Sequence, residues 1–145
     1  MFVRVMCDIE KAKKYIDEGY TLALVCGEKS YLSRERGVKP LLEIIDTGAD
    51  YSAFSAADKV VGRAGALLYI LIGIKRLYAA VISRSALLVL TEGGISVSYG
   101  ALVSRIKNRD GTGFCPMETA TLGIESPTDA LSAIKEALSA LRKKG

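Results

Sequence analysis

Apolar positions along this 145-residue chain recur in two rhythms, one helical and one of short continuous runs. Residues Ile9 to Glu18 have helical spacing, with Asp8 as the expected cap and Gly19 as the stop. Tyr20 to Cys26 is an apolar run of strand length, and Gly27-Glu28 can turn it into a short partner, Lys29 to Ser33. Pro40 sits early in an amphipathic helix carrying Leu41, Leu42, Ile44 and Ile45 and ending near Gly48. Tyr51 to Ala57 reads as a weak strand of small residues. It leads into a helix from Asp58, the expected N-cap, to Gly73, apolar nearly all round and therefore central. Leu77 to Ser83 and Ile95 to Tyr99 read as strands, and Ser85 to Glu92 and Ala101 to Lys107 as short helices. Asn108 to Phe114 is a polar loop, Cys115 begins a further helical turn or two, and Ser126-Pro127-Thr128-Asp129 opens an amphipathic helix to about Lys143.

A hairpin followed by strand–helix alternation predicts a single α/β domain over residues 1–145. The expected architecture is a three-layer α/β/α sandwich with a mixed sheet of four or five strands. The hairpin start argues against a simple doubly wound nucleotide fold.

Composition narrows the function classes. Half the residues are hydrophobic and a quarter charged, so a proper core is expected and disorder is not. The net charge of +4 is scattered over the chain, without the dense basic stripe and interleaved aromatics of a nucleic-acid groove. There is no histidine, and three cysteines (Cys7, Cys26, Cys115) without paired spacing suit neither a disulfide scaffold nor a zinc site. No metal or cofactor is therefore expected. The run from Ala64 to Ile74 is about half the length a bilayer demands. The start of the chain lacks a signal-like apolar region, so a cytoplasmic protein without membrane association is expected.

Candidate chemistry concentrates at two loop-to-helix junctions. In Cys115-Pro116-Met117-Glu118, Pro116 and Glu118 obey helix-start rules, with Glu118 placed to return to the cap's backbone N–H. Cys115 is a poor cap, and a thiol at a helix N-terminus gains thiolate character. It is the candidate nucleophile or redox thiol, with Cys26 or Cys7 as conceivable resolving partners. At the other junction, Asp58 is the candidate for proton exchange. Lys59 and the first-turn amides are candidates to hold an anion, and Gly62 would admit a ligand closely. Asn108 and Arg109 can contribute to the mouth of a site beside Cys115, or simply close their loop. Arg34, Arg36 and Lys39 form a further basic loop that reads best as solvated charge.

The segments SRERGVKPLLEII, ADKVVGRAGALL, YAAVIS and IKNRDGTGFCPME, with their spacings, resemble a small prokaryotic family of uncharacterised proteins. That family is placed in the cytidine-deaminase-like fold. The resemblance covers about residues 8–125 and implies a three-layer sandwich around a mixed sheet. It does not imply deamination, because the zinc motifs that reaction requires are absent here: the junction aligned with the first motif reads Ala57-Asp58-Lys59-Val60, and Ile82-Ser83-Arg84-Ser85 stands at the second. The resemblance implies that Asp58, Lys59, Cys115 and Glu118 line one metal-free cleft for a small polar or anionic ligand, a nucleotide or base among the options. The other reading is a non-enzymatic regulatory or oligomerising module, with the LLYILIG segment and the C-terminal helix at a homo-oligomer interface.

Overall fold

The computed structural model of the chain describes residues 7–106 and 115–144. Helix α1 (Asp8–Asp17) leads into the hairpin β1 (Leu22–Cys26) and β2 (Lys29–Ser33), and α2 (Lys39–Thr47) follows. Two strand–helix units come next, β3 (Ser55–Val61) with α3 (Arg63–Ile72) and β4 (Arg76–Ser83) with α4 (Arg84–Glu92). Then come β5 (Ser96–Val103), the short α5 (Pro116–Ala120) and the long α6 (Pro127–Lys144). The five strands form one open sheet in the order β2-β1-β3-β4-β5. The hairpin strand β1 is antiparallel to both neighbours, whereas β3, β4 and β5 run parallel. The protein is thus α/β, with a mixed five-stranded sheet and six helices among the described residues. None of those helices is long and apolar enough to cross a membrane.

Period-two alternation explains how the sheet meets its helices. Ala23, Val25 and Ala57 pack with Ala12 of α1, while Leu22, Leu24 and Ala56 join the larger cluster built around α3. Helix α3 is central, as its pattern predicts: Leu67, Leu68 and Tyr69 are fully buried within the chain. The first three residues of the LLYILIG segment are therefore taken up by the core, whereas Leu71 is exposed. Alternation changes phase once in the parallel strands, since Leu77, Ala79 and then Ile82 all belong to the main core. The slip falls at Ala80, opposite Gly100, where a β-carbon would lie 2.8 Å from the Ala80 carbonyl oxygen.

Two expected elements are corrected. Asp58 does not cap a helix; it lies inside β3, paired with Leu22 on one side and Ala79 on the other. Ladder bonds from two neighbouring strands outweigh the local signal, and the helix waits until Gly62, the N-cap of α3. Similarly, Ala101 to Val103 continue β5 instead of opening a helix, because Val81 to Ser83 of the long strand β4 need partners. Glycine stops behave as read: Gly48 and Gly73 take left-handed φ values of 70° and 86° at the ends of α2 and α3.

Candidate functional site

Ligands of open α/β sheets bind outside the carboxyl ends of the parallel strands. In this chain three segments meet there. Val61-Gly62-Arg63 joins β3 to α3, and Ser83-Arg84-Ser85 joins β4 to α4. The chain leaving β5 meets the start of α5 where the Cys115 amide donates to the Ile106 carbonyl at 3.1 Å.

Glu118 holds this corner together, though not as its local sequence suggests. Its Oε1 accepts from the backbone N–H of Arg63 at 2.5 Å. A carboxylate thus occupies the positive end of α3, fifty-five residues away in sequence, instead of returning to the cap of α5. Burial pushes the Glu118 carboxyl up from its ordinary range, opposed by the Arg63 amide and the Arg63 charge. Gly62 makes room for it: a β-carbon there would lie 1.7 Å from Glu118 Oε1. Gly62 therefore does admit a carboxylate closely, but the carboxylate is the chain's own.

The Arg63 side chain completes the lock. Its Nε donates to the Thr121 carbonyl at 3.2 Å, its Nη1 to Ser85 Oγ at 3.0 Å, and its Nη2 to the Ile124 carbonyl. One guanidinium so joins α3, the start of α4, the end of α5 and the approach to α6. Sequence reasoning missed this role. The available signal was a lone arginine at the start of an otherwise uncharged apolar run, since a partly buried guanidinium must find acceptors. The neighbouring Ser83 is buried and caps α4 by accepting from the Ala86 amide at 3.1 Å.

The other sequence candidates separate. Asp58 points from β3 toward α3, where the Tyr69 hydroxyl donates to its Oδ2 at 2.7 Å. Burial drives the Asp58 carboxyl up to about 7, against the opposing hydrogen bonds from Tyr69 and the nearby backbone, and the Tyr69 phenol is likewise raised by burial. Tyr69 follows Arg63 by six residues, roughly 9 Å along the helix. Asp58 and Glu118 thus engage different turns of α3. Lys59, adjacent on the strand, is exposed, and the two successive side chains leave the sheet on opposite faces. Cys115 is the N-cap of α5 but makes no side-chain cap bond, and its half-buried thiol packs against the main core. Asn108 and Arg109 lie outside the described residues.

Among the described residues no group of three histidine, cysteine or acidic side chains could hold an ion. Cys7, Cys26 and Cys115 are all free. Two surface grooves are lined by none of Gly62, Arg63 and Glu118. One, of about 390 Å³, runs between α2 and α6, with Lys135 paired to Asp46 across it at 3.2 Å. The other, of about 330 Å³, follows the outer face of α4.

Comparison with known proteins gives a family of unknown function. A search of curated proteins finds no match. Among solved structures, the crystal structure of a DUF1893 family protein (TM1506) from Thermotoga maritima is similar, with a TM-score of 0.79 and 26% identity. The similarity covers 94% of this chain and 92% of that one. The family described as TM1506, a domain of unknown function (DUF1893), matches residues 10–138. With its own sheet, core and Glu118–Arg63 corner falling inside that span, the chain belongs to the DUF1893 family.

Proposed function

We propose that this protein is a non-enzymatic interaction module on a three-layer, cytidine-deaminase-like scaffold, and that the corner where such a scaffold would do chemistry is a structural lock. The scaffold reading draws support from the antiparallel hairpin leading into three parallel strands, with α1 packed opposite the α3 cluster. The observation that carries the functional reading is Glu118 seated on the first amide of α3. That seat is where an anionic ligand would bind, and an internal carboxylate at a helix start competes with any incoming phosphate or carboxylate. The Arg63 guanidinium at the same corner is committed to two backbone carbonyls and Ser85.

A second reading keeps a metal-free ligand site at the same corner. An incoming anion would displace Glu118, with Cys115 on the adjoining cap as a contact or nucleophile. It is favoured by the corner's place at the carboxyl ends of β3 and β4. Thermal unfolding of the full chain with nucleosides, nucleotides and inorganic phosphate separates the two readings. The lock reading expects no ligand to raise Tm by more than about 1 °C. Saturation at a hundredfold excess over Kd would contribute about 2.7 kcal/mol, roughly 5–10 °C for a chain of this length. A rise of that size, altered by Glu118→Gln or Cys115→Ala, would establish the second reading and dismiss the first.

A further inference from the structure

We propose that two copies of this chain pair through the free edge of β5 and the outer face of α4, forming an antiparallel, two-fold symmetric dimer. The proposal rests on the interaction-module reading but concerns a surface separate from the Gly62–Glu118 seat, so the two fail in different experiments.

Strand β5 ends the sheet. Its eight residues, SVSYGALV, include neither a charged residue nor a proline, the usual means of blocking strand addition. The opposite edge strand, β2, has five residues and opens with the exposed Lys29. Among the described residues, one edge of the sheet is thus short and guarded, and the other is long and unguarded.

Helix α4 flanks the unguarded edge with an apolar stripe. Arg84, Leu87, Leu88 and Thr91, at one-face spacing, line its outer groove, and Leu88 is 56% exposed. The orientation of this stripe follows from Gly93, where a β-carbon would lie 2.2 Å from Ile70 of α3. Thr91 precedes Gly93 by two residues, about 200° around the helix. The stripe therefore faces away from α3, toward the free side of β5.

A second copy matches both surfaces at once. Strands in a sheet are about 4.8 Å apart, and α4 packs over the β4–β5 pair that it connects. A two-fold axis just beyond β5 then leaves α4 and its mate about 10 Å apart, the spacing of packed helices. The levels also agree. Leu88 lies four residues, about 6 Å, along α4 from Arg84. Ala101 lies two residues, about 7 Å, back along β5 from Val103. Val103 pairs with Ser83, the residue immediately before Arg84.

Antiparallel pairing of β5 about Gly100–Ala101 sets Tyr99 opposite Leu102 of the partner subunit, and the reverse. These are the large apolar side chains that β5 leaves exposed, at 43% and 40%. Both pair with main-core positions of β4, Ala79 and Ile82, and so stand on the α4 side of the sheet. Antiparallel pairing of α4 about Leu88 sets the exposed Arg84 opposite Glu92 of the partner subunit, giving opposite charges at both ends of the helix pair. Edge, apolar pair and charge pattern are all self-complementary about one axis.

Sedimentation velocity of the full chain, from about 1 to about 100 µM, tests the proposal. The expected species has twice the 15.5 kDa chain mass. Leu102→Lys and Leu88→Glu, both at exposed positions and checked for folding by circular dichroism, should each raise Kd at least about tenfold. Glu92→Arg should weaken the dimer and Arg84→Glu/Glu92→Arg restore it, whereas Leu141→Lys on the exposed side of α6 should leave it unchanged. A wild-type chain that stays monomeric at the highest concentration overturns the proposal, as it would if a segment of the chain itself covered β5. So does a dimer indifferent to Leu102→Lys, Leu88→Glu and the charge exchange.

Discussion

Gly62→Ala gives the sharpest test of the corner. Gly62 has an extended backbone, φ −101° and ψ −177°, which alanine adopts without strain. The cost therefore comes from space. The new methyl would fall 1.7 Å from Glu118 Oε1 and 3.2 Å from Ile106 Cγ1. The carboxylate end of a glutamate can swing away, so the backbone need not move, but the bond to the Arg63 amide is lost. A hydrogen bond to a charged group is worth about 1.5–3 kcal/mol. Rehydration of the freed carboxylate returns part of that, leaving a loss of about 1–2 kcal/mol. For a chain near 150 residues this lowers Tm by roughly 2–8 °C. Glu118→Ala should cost a similar amount by removing the same bond. The double variant should then be little worse than either single one, with a coupling of about 1–2 kcal/mol. Urea unfolding of the four proteins measures it. Additive losses would mean that Gly62 and Glu118 act independently and would refute the displacement argument.

Two further outcomes concern Asp58 and the Arg63 side chain. Asp58 has a folded-state value of about 7 against about 3.9 when unfolded, so the folded protein holds the extra proton between those limits. Its contribution is fully present below about pH 4 and is lost as pH rises through about 7, with a ceiling on the order of 4 kcal/mol. Asp58→Asn should be at least as stable as wild type at pH 8, the difference shrinking toward pH 5; parallel denaturation curves across that range would show that Asp58 is not the group responsible. Arg63→Lys keeps the charge but not the three-way fork, and should cost about 1–3 kcal/mol while making Cys115 more accessible to alkylation. Unchanged unfolding and unchanged alkylation would remove Arg63 from its role as the joint.

Local rules settle those parts of this protein where neighbours in sequence are also neighbours in space. Pro40 and Gly48 bracket α2, Gly27 turns the β1–β2 hairpin, and the Ser126 hydroxyl accepts from the Asp129 amide as a cap of α6. Each of these signals acts within one turn, so the sequence alone determined those elements and the α/β class they imply. Asp58 shows where that reach ends. An acidic residue before a long apolar run has the local grammar of a helix cap, yet pairing with β1 and β4 makes it a strand residue, and Tyr69 supplies the partner its half-buried carboxyl needs. The same holds for Glu118. Its spacing from Cys115 predicts a bond within α5, whereas packing of α5 against α3 offers a better donor, the first amide of a longer helix. Hydrogen-bond donors left over at a helix start are satisfied by whichever acceptor the fold brings within reach. That choice, with the Arg63 joint and the exposed edge of β5, was made by the tertiary structure, because each depends on segments dozens of residues apart meeting at a few ångströms.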